Sequence, residues 1–303
     1  MSKLIIIGNG FDIAHGLPTD FKFFIKYIKE NHPDFYENIS KYIPEEDLWN
    51  SFEKALSYLD DEQLQDDNMC YLRSYGDDNW RDSFHHDFQY MIGEELKFAS
   101  DIPRYIYKWL KKILINSRPI IDNRIINNEA TFLNFNYTNT LEKVYGIHPS
   151  RILYIHGNLE NKEELIVGHH NSDLFAEEPI PEFDTEEEWE LYYDNIYDDV
   201  RVEEAKQIIK DYYRNTYKNV ENIITANTNF FQSLFLINEV YILGHSMSDV
   251  DFDYFTEINN HISKNCKWYI SYYSQEDLTN ALTLINQLNI TKYQLIKLSE
   301  ICI

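Results

Sequence analysis

The chain of 303 residues has little cysteine: it contains only Cys70, Cys266 and Cys302, which lie far apart. An odd and sparse count argues against a disulfide framework and favours a reducing compartment, so the cytoplasm is the expected location. Long hydrophobic runs are also absent, because no stretch approaches the roughly 18 apolar residues that a membrane helix needs. The first apolar stretch, residues 4–7, is too short for the core of a signal peptide. We therefore expect no membrane partner.

Basic residues are scarce as well. Lys and Arg total 27 against 51 Asp and Glu, which gives a net charge of −24. Because nucleic acids are bound mainly through Lys and Arg, this balance disfavours nucleic acid as a partner. Small anionic ligands are less affected, since backbone N–H groups can hold them. The hydrophobic fraction of 44% is enough for a packed core.

Short apolar runs alternate with segments of helical spacing along the chain. The predicted strands are residues 3–8, 131–135, 152–155, 165–167, 238–243 and 267–272, with a last one at 293–298. Phe21, Phe24, Ile25 and Ile28 share one face of a predicted helix, and residues 86–116 predict one long helix or two that are broken at Pro103. This alternation predicts an α/β fold with a doubly wound, mostly parallel sheet.

Two segments do not fit a minimal sheet. Residues 36–116 contain no strand signal and are interpreted as a helical insertion. Residues 175–222 are first acidic and then helical in pattern, and form a second predicted insertion. We therefore expect a single α/β core domain over 1–303 that carries both insertions.

The motif GNGFDIAHG, residues 8–16, directly follows the first strand. Glycines there allow a sharp turn and a close approach to a ligand, and the next helix would direct N–H groups at a phosphate. Ile13 stands where the third glycine of a dinucleotide fingerprint belongs, so a tight turn with Asp12 as a cap stays open as an alternative. The predicted binding residues of this loop are Gly8, Asn9, Gly10, Phe11, Asp12 and Gly16.

Asn136 follows the strand at 131–135, and Tyr137 comes next. The Asn136 amide could accept from a ribose hydroxyl and donate to a carboxamide or a phosphate, and Tyr137 is a predicted binding residue beside it. The alternative is a turn-forming asparagine, with Thr138 or Asn139 capping the next helix.

His156 follows the strand at 152–155 and precedes Gly157. A histidine can exchange a proton near neutral pH, so His156 is a candidate general base and Gly157 a candidate binding residue. The alternative is a histidine that only bonds to a neighbouring carbonyl.

The run YILGHSMSDVDFDYF, residues 241–255, carries four further predicted binding residues: Gly244, His245, Ser246 and Asp249. Capping of the following helix is the main alternative for Asp249 and Asp251. His169 and His170 follow a further predicted strand, but no spacing typical of metal ligands supports a metal site.

All four strand ends are predicted to meet at one edge. Ligands of doubly wound sheets bind outside the carboxyl ends of the strands. We therefore expect a small nucleotide to bind there.

Several of these motifs together resemble the AbiH family of bacteriophage abortive-infection proteins. The resemblance rests on IIGNGFDIAHGLPTDF, WNSFEKAL at 49–56, NFNYTNTLE, YIHGNL, GHH and ILGHSMSDVDFDYF, spread over residues 5–255. It implies a role in antiphage defence, with a phage or defence-system protein as one candidate trigger and a homo-oligomer as one candidate assembly.

AbiH proteins in turn look like distant relatives of the sirtuin-like NAD-binding fold. That resemblance aligns the first loop with the sirtuin glycine elements, through Gly8, Gly10, Gly16, Leu17 and Pro18. It aligns Asn136 and Tyr137 with an Asn-Tyr element, and His156 and Gly157 with the catalytic His-Gly. Gly244 and Ser246 align with a later element that contacts the cofactor. It implies that NAD is the substrate or ligand and that Asn136 and His156 form the essential pair. Thr138 replaces the family's aspartate, and Asp12 replaces a serine of the glycine loop. The Cys-x-x-Cys pairs of protein deacetylases are missing, which argues against deacetylation.

The function expected from this resemblance is an NAD glycohydrolase in abortive infection. The alternative is a nucleotide-binding sensor, or a partner-binding defence protein, without turnover. A metal-dependent nuclease using Asp12, Asp249 or Asp251 is the third hypothesis.

Overall fold

The computed structural model describes residues 2–160, 165–177, 185 and 199–301. The chain forms two compact units. The first unit comprises Met1–Phe24, Pro103–Val167 and Lys218–Ile303, and the second comprises Ile25–Ile102 and Gly168–Tyr217. Much of the predicted acidic insertion, residues 178–184 and 186–198, lies outside the described residues.

The first unit is built on a six-stranded sheet in which all strands are parallel. Its strands are β1 (Lys3–Ile7), β2 (Thr131–Asn134), β3 (Ile152–Tyr154), β4 (Glu239–Leu243), β5 (Lys267–Tyr272) and β6 (Tyr293–Lys297). The strand order is β3-β2-β1-β4-β5-β6. In the register, Ile7 pairs with Asn134 of β2 on one side and with Leu243 of β4 on the other.

Helices cover both faces of this sheet, and the apolar run of β1 reflects that arrangement. Leu4 and Ile6 are buried in the core on one face, whereas Ile5 and Ile7 are buried in the core on the other. A strand covered on both faces is apolar at every position, because neighbouring side chains point to opposite faces. The predicted α/β fold with a doubly wound sheet is confirmed.

The helices of the described residues are short. They are α1 (Asn9–Ala14), α2 (Phe21–Asn31), α3 (Pro33–Tyr42), α4 (Glu45–Asn50), α5 (Phe52–Ala55), α6 (Asp61–Asn68), α7 (Phe84–Glu95), α8 (Phe98–Leu110), α9 (Thr140–Tyr145), α10 (Val200–Asn215), α11 (Val220–Ala226), α12 (Thr228–Gln232), α13 (Phe252–His261), α14 (Gln275–Gln287) and α15 (Leu298–Ile301). Among them, no helix has the length and apolar character needed to cross a membrane.

Two sequence predictions are wrong. Residues 165–167 are not a strand. The Ile166 N–H donates to the His156 carbonyl, and the Ile166 carbonyl accepts from the Tyr137 hydroxyl. The backbone groups of Ile166 therefore bond to a loop and a side chain and not to a neighbouring strand. The helix break falls at residues 96–97, and α8 continues through Pro103. A proline removes one helical hydrogen bond, and the buried face of α8, with Ile106 and Trp109, compensates for that loss.

Candidate functional site

The carboxyl ends of β3, β2, β1 and β4 lie side by side at one edge of the sheet. The order β3-β2-β1-β4-β5-β6 is that of a doubly wound nucleotide-binding sheet, whose switch point lies between β1 and β4. The loops after these two strands carry Gly8 and Gly10 on one side and Gly244 and His245 on the other. This edge is therefore the candidate functional site.

Glycines bring the two switch-point loops into direct backbone contact. The Gly10 N–H donates to the Gly244 carbonyl at 2.7 Å, and the Gly8 N–H donates to the Leu243 carbonyl at 3.1 Å. A Cβ on Gly8 would lie 2.4 Å from the Cα of His245, which no side chain can tolerate. The N–H groups of Gly8 and Gly10 are thus already paired within the protein, and the glycines serve the contact between the loops.

The other residues of the first loop have local roles. The Asn9 amide donates to the Thr19 carbonyl at 3.0 Å, and the Phe11 side chain is buried in one of the two cores. Gly16 follows the end of α1 with a φ of 79°, a conformation that favours glycine.

Asp12 lies inside α1 rather than at its start, so the alternative of a capping aspartate is wrong. The buried carboxylate accepts a hydrogen bond from the Thr138 hydroxyl, and the Thr138 and Thr140 hydroxyls are 3.0 Å apart. Burial raises the pKa of Asp12 to about 6, although hydrogen bonds from Thr138, Thr140 and Asn136 lower it. We name Asp12, Asn136, Thr138 and Thr140 the Asp12 cluster.

The side chains after β2 make different contacts from those expected of caps. The Asn136 amide donates to the Gly8 carbonyl at 3.1 Å and so links the β2 loop to the β1 loop. Asn139 occupies the N-cap position of α9, but its side chain makes no capping bond and donates to Glu160 instead. The Thr138 hydroxyl is used by Asp12, so the capping alternative is wrong for both residues.

A second buried group lies at the same edge. Asp251 Oδ1 is 3.5 Å from Lys218 Nζ and 3.9 Å from His156 Nε2, and Asp251 Oδ2 is 3.4 Å from His245 Nε2. All four side chains are buried. We name His156, Lys218, His245 and Asp251 the Asp251 cluster.

The hydrogen bonds of the cluster define the proton on His245. The Met247 N–H donates to His245 Nδ1 at 2.9 Å, so the ring proton lies on Nε2, which faces Asp251. Burial raises the pKa of Asp251, but Lys218 and the hydrogen bond from His245 outweigh burial and hold that pKa well below its usual value. Asp251 is therefore a carboxylate at neutral pH.

His156 is neutral in this environment. Burial and the nearby Lys218 lower the pKa of His156 to about 3, and Asp251 only partly opposes them. The ring meets that of Phe135 edge to face, with 5.3 Å between centroids. Its Nε2 makes no hydrogen bond within the described part of the chain.

The sirtuin-like resemblance pairs Asn136 with His156, whereas the structure places their side chains in two different clusters. Phe135, between β2 and Asn136, directs its ring towards His156 and His245, and the Asn136 side chain contacts Gly8 and the Asp12 cluster. Among the described residues, no hydrogen bond or ion pair joins Asn136 to His156.

The remaining predicted residues lie around these clusters. Tyr137 donates its hydroxyl to the Ile166 carbonyl at 2.8 Å, and Gly157 has a φ of 83°. Ser246 and Asp249 are exposed. Asp251 occupies the N-cap position of α13 without a capping bond, so its capping alternative is wrong.

His169, in the second unit, is engaged locally. His169 Nε2 contacts the Tyr213 carbonyl at 3.0 Å, and its Nδ1 accepts from the Asn171 N–H at 3.1 Å. In the residues that the structure describes, no group of three or more His, Cys, Asp or Glu side chains could hold a metal ion.

Lys218 and Thr140 are not among the site residues predicted from the sequence, which favours a helix cap as the role of Asp251 and names it otherwise only in the nuclease hypothesis. Lys218 precedes α11 and belongs to no motif, so no signal pointed to it. The sequence does contain a signal for Asp251, because this residue lies between α13 and residues 244–246, which include His245 and follow a predicted strand.

Fold and site together define a doubly wound α/β protein with a glycine-lined switch point and a buried histidine–aspartate cluster beside it. The chain belongs to the AbiH family: the model of the family described as bacteriophage abortive infection AbiH matches residues 4–272. Membership of this family indicates a role in bacteriophage abortive infection. No match was found among the curated proteins or among the solved structures.

Proposed function

We propose that the chain acts in abortive infection as an NAD-consuming hydrolase, with the nucleotide bound at the sheet edge beside β1 and β4. The observation that carries this proposal is the position of His156, which follows β3 at that edge and is buried next to Asp251 at 3.9 Å. The strand order supports it, because nucleotides bind at the switch point of such sheets. A phage or defence-system protein is the proposed trigger.

The proposed reaction is hydrolysis of the bond between the nicotinamide nitrogen and C1′ of its ribose. Water supplies the oxygen that bonds to C1′, nicotinamide leaves with the electron pair of the broken bond, and the water proton passes to His156. The products are ADP-ribose, nicotinamide and a proton. His156 Nε2 is the proposed acceptor, because that nitrogen makes no hydrogen bond within the described chain. Positioned proton transfer of this kind is worth about 10²- to 10⁴-fold in rate.

Asn136 has a supporting role in this proposal. Its amide holds the Gly8 carbonyl at 3.1 Å and contributes to the hydrogen bonding of Asp12, so it fixes the loops on which the ribose would lie. Ser246, which is exposed in the loop after β4, is a further proposed contact of the nucleotide.

The experiment measures nicotinamide release from NAD by purified wild-type protein, His156→Ala and Asn136→Ala, with and without extract of phage-infected cells. We expect turnover by wild type and a loss of about 10²-fold or more in His156→Ala. His148→Ala is the control, because His148 is exposed. Equal activity in wild type and His156→Ala, or no turnover under any condition, contradicts the proposal.

A second candidate function is a sensor that binds NAD or ADP-ribose without turnover. It is favoured by the burial of His156 and by its pKa of about 3, since so weak a base accepts a proton poorly. Calorimetry with NAD and ADP-ribose separates the two functions. Binding without nicotinamide release supports the sensor, and the absence of binding contradicts both functions.

A further inference from the structure

The Asp251 cluster contains more groups than a lone general base requires. We infer that Asp251 and Lys218 are positioning residues that together adjust the proton affinity of the buried His156, and that His245 fixes the orientation of Asp251. This inference rests on the proposed function of His156 as the proton acceptor.

The geometry gives the two oxygens of Asp251 different partners. Oδ2 faces His245 Nε2 at 3.4 Å, and Oδ1 faces both Lys218 Nζ at 3.5 Å and His156 Nε2 at 3.9 Å. The carboxylate is thus held by one side chain on one oxygen and stands between a cation and a neutral imidazole on the other. Oδ1 makes no hydrogen bond within the described chain, so it can accept one from a protonated His156.

The backbone around His245 is arranged to hold this ring. Met247 has a φ of 53°, in the left-handed region that residues other than glycine seldom occupy, and in this conformation its N–H donates to His245 Nδ1. Two hydrogen bonds hold this loop in place. The Gly244 N–H donates to the Ser271 hydroxyl at 2.9 Å, and the Asn280 amide donates to the Ser246 carbonyl at 3.0 Å. Strained backbone that is held in place by its surroundings is typical of functional sites.

Among the described residues, the titratable groups that face His156 are Lys218, His245, Asp251 and Tyr254, whose ring centroid lies 5.7 Å from that of His156. The ammonium of Lys218 disfavours a proton on His156, and the carboxylate of Asp251 favours it. Of the two, Lys218 has the larger influence. Burial disfavours a proton on His156 most, and the balance between Lys218 and Asp251 then adjusts how readily His156 is protonated.

Each partner has a distinct consequence for the proposed reaction. When His156 takes the proton from water, its charged Nε2 faces Asp251 Oδ1, which stabilises the imidazolium. Lys218 keeps Asp251 ionised and keeps His156 unprotonated before the reaction, so the base is free to accept.

The test is an NMR pH titration of the His156 ring in protein labelled with ¹³C-histidine, which needs no activity. Lys218→Met should raise the pKa of His156 by on the order of one pH unit or more, because a buried cation a few ångströms away is removed. Asp251→Asn should lower that pKa or leave His156 neutral throughout the range in which the protein is folded. Lys264→Met is the matched control, since Lys264 is exposed and its removal should leave the pKa of His156 unchanged.

A single variant that removes one charge of this buried pair can fail to fold. The double variant Lys218→Met with Asp251→Asn removes both charges and keeps similar volumes. Because the influence of Lys218 exceeds that of Asp251, the pKa of His156 should be higher in the double variant than in wild type. An unchanged pKa of His156 in both Lys218→Met and the double variant overturns the inference.

The pH profile of NAD hydrolysis then separates this inference from the proposed function. If the protein hydrolyses NAD, the acid limb of the kcat/KM profile should move to higher pH in the double variant, by the same amount as the NMR pKa of His156. If the NMR pKa of His156 changes but no variant hydrolyses NAD, only the proposed hydrolase is contradicted. If NAD is hydrolysed but neither the acid limb nor the NMR pKa of His156 changes, only the proposed roles of Lys218 and Asp251 are contradicted.

Discussion

Gly244 lies with its backbone against that of Gly10, so that the loops after β1 and β4 touch without any side chain between them. The Gly10 N–H donates to the Gly244 carbonyl at 2.7 Å, and a Cβ on Gly244 would lie 2.1 Å from the Phe11 nitrogen. Gly244 also has a φ of 64°. Both features require glycine, and they fix the spacing of the two loops at the switch point.

The first prediction is that Gly244→Ala destabilises the fold far more than Gly146→Ala. Gly146 has nearly the same φ, 65°, but nothing lies within 4 Å of an added Cβ. Both variants carry the cost of a left-handed alanine, about 1–2 kcal/mol, and only Gly244→Ala adds the clash with Phe11. In urea unfolding we expect a further loss of about 2 kcal/mol or more for Gly244→Ala. Equal losses of unfolding free energy in the two variants would show that the loops after β1 and β4 can separate without destabilising the fold.

The sheet could be predicted from the sequence because parallel strands covered on both faces leave a simple signal. Runs such as residues 3–8 and 238–243 are short, apolar and bounded by glycine, and each contains a strand of the sheet. The run at 165–167 has the same composition but pairs with no strand among the described residues. Composition alone does not reveal whether a neighbouring strand is present to accept its backbone bonds.

The site could be predicted only as far as strand ends define it. His156 and His245 follow strands, and the sequence alone marks them as residues of one edge. Lys218 has no such marker, since a lysine before a helix is ordinarily exposed. Asp251 has the pattern of a helix cap, and only its tertiary contacts with His245 and Lys218 reveal another role.

The second prediction concerns the stability of the buried ion pair. Asp251→Asn should lower the free energy of unfolding by about 3–5 kcal/mol, because it removes the buried carboxylate that faces the Lys218 ammonium at 3.5 Å. Adding Lys218→Met to Asp251→Asn should recover part of that loss. Chemical denaturation of the two single variants and the double variant measures the coupling.

Asp211→Asn is the control for this cycle. Asp211 pairs with Arg214 at 2.6 Å, but both side chains are largely exposed. Exposed ion pairs contribute about 1 kcal/mol or less. A loss in Asp251→Asn that is as small as the loss in Asp211→Asn would contradict a buried, coupled pair.

The third prediction is a pH dependence that comes from Asp12. Burial raises its pKa from 3.8 to about 6, so between these values the folded protein holds a proton that the unfolded chain has released. This proton stabilises the fold fully below about pH 4, and its contribution is lost as the pH rises through about 6, a change of about 3 kcal/mol. Asp12→Asn should therefore gain stability relative to wild type between about pH 4 and 7.

Urea unfolding at several pH values measures this difference. Asp249→Asn removes the same charge from an exposed position and serves as the control. If the difference between Asp12→Asn and wild type is the same at all pH values, Asp12 is not a protonated buried acid.

The last prediction is the opposite pH dependence of His156. The folded protein keeps this ring neutral down to about pH 3, while the unfolded chain takes up a proton below about 6.5. Its contribution to stability is therefore present above about pH 6.5 and is lost as the pH falls, by up to about 1.4 kcal/mol for each pH unit. His156→Gln lacks this proton uptake, so its stability relative to wild type should improve as the pH is lowered from about 7 to 5. His86→Gln removes an exposed histidine and is the control in the same denaturation series. A parallel pH dependence of His156→Gln and wild type would show that the His156 ring is not held neutral by its burial beside Lys218.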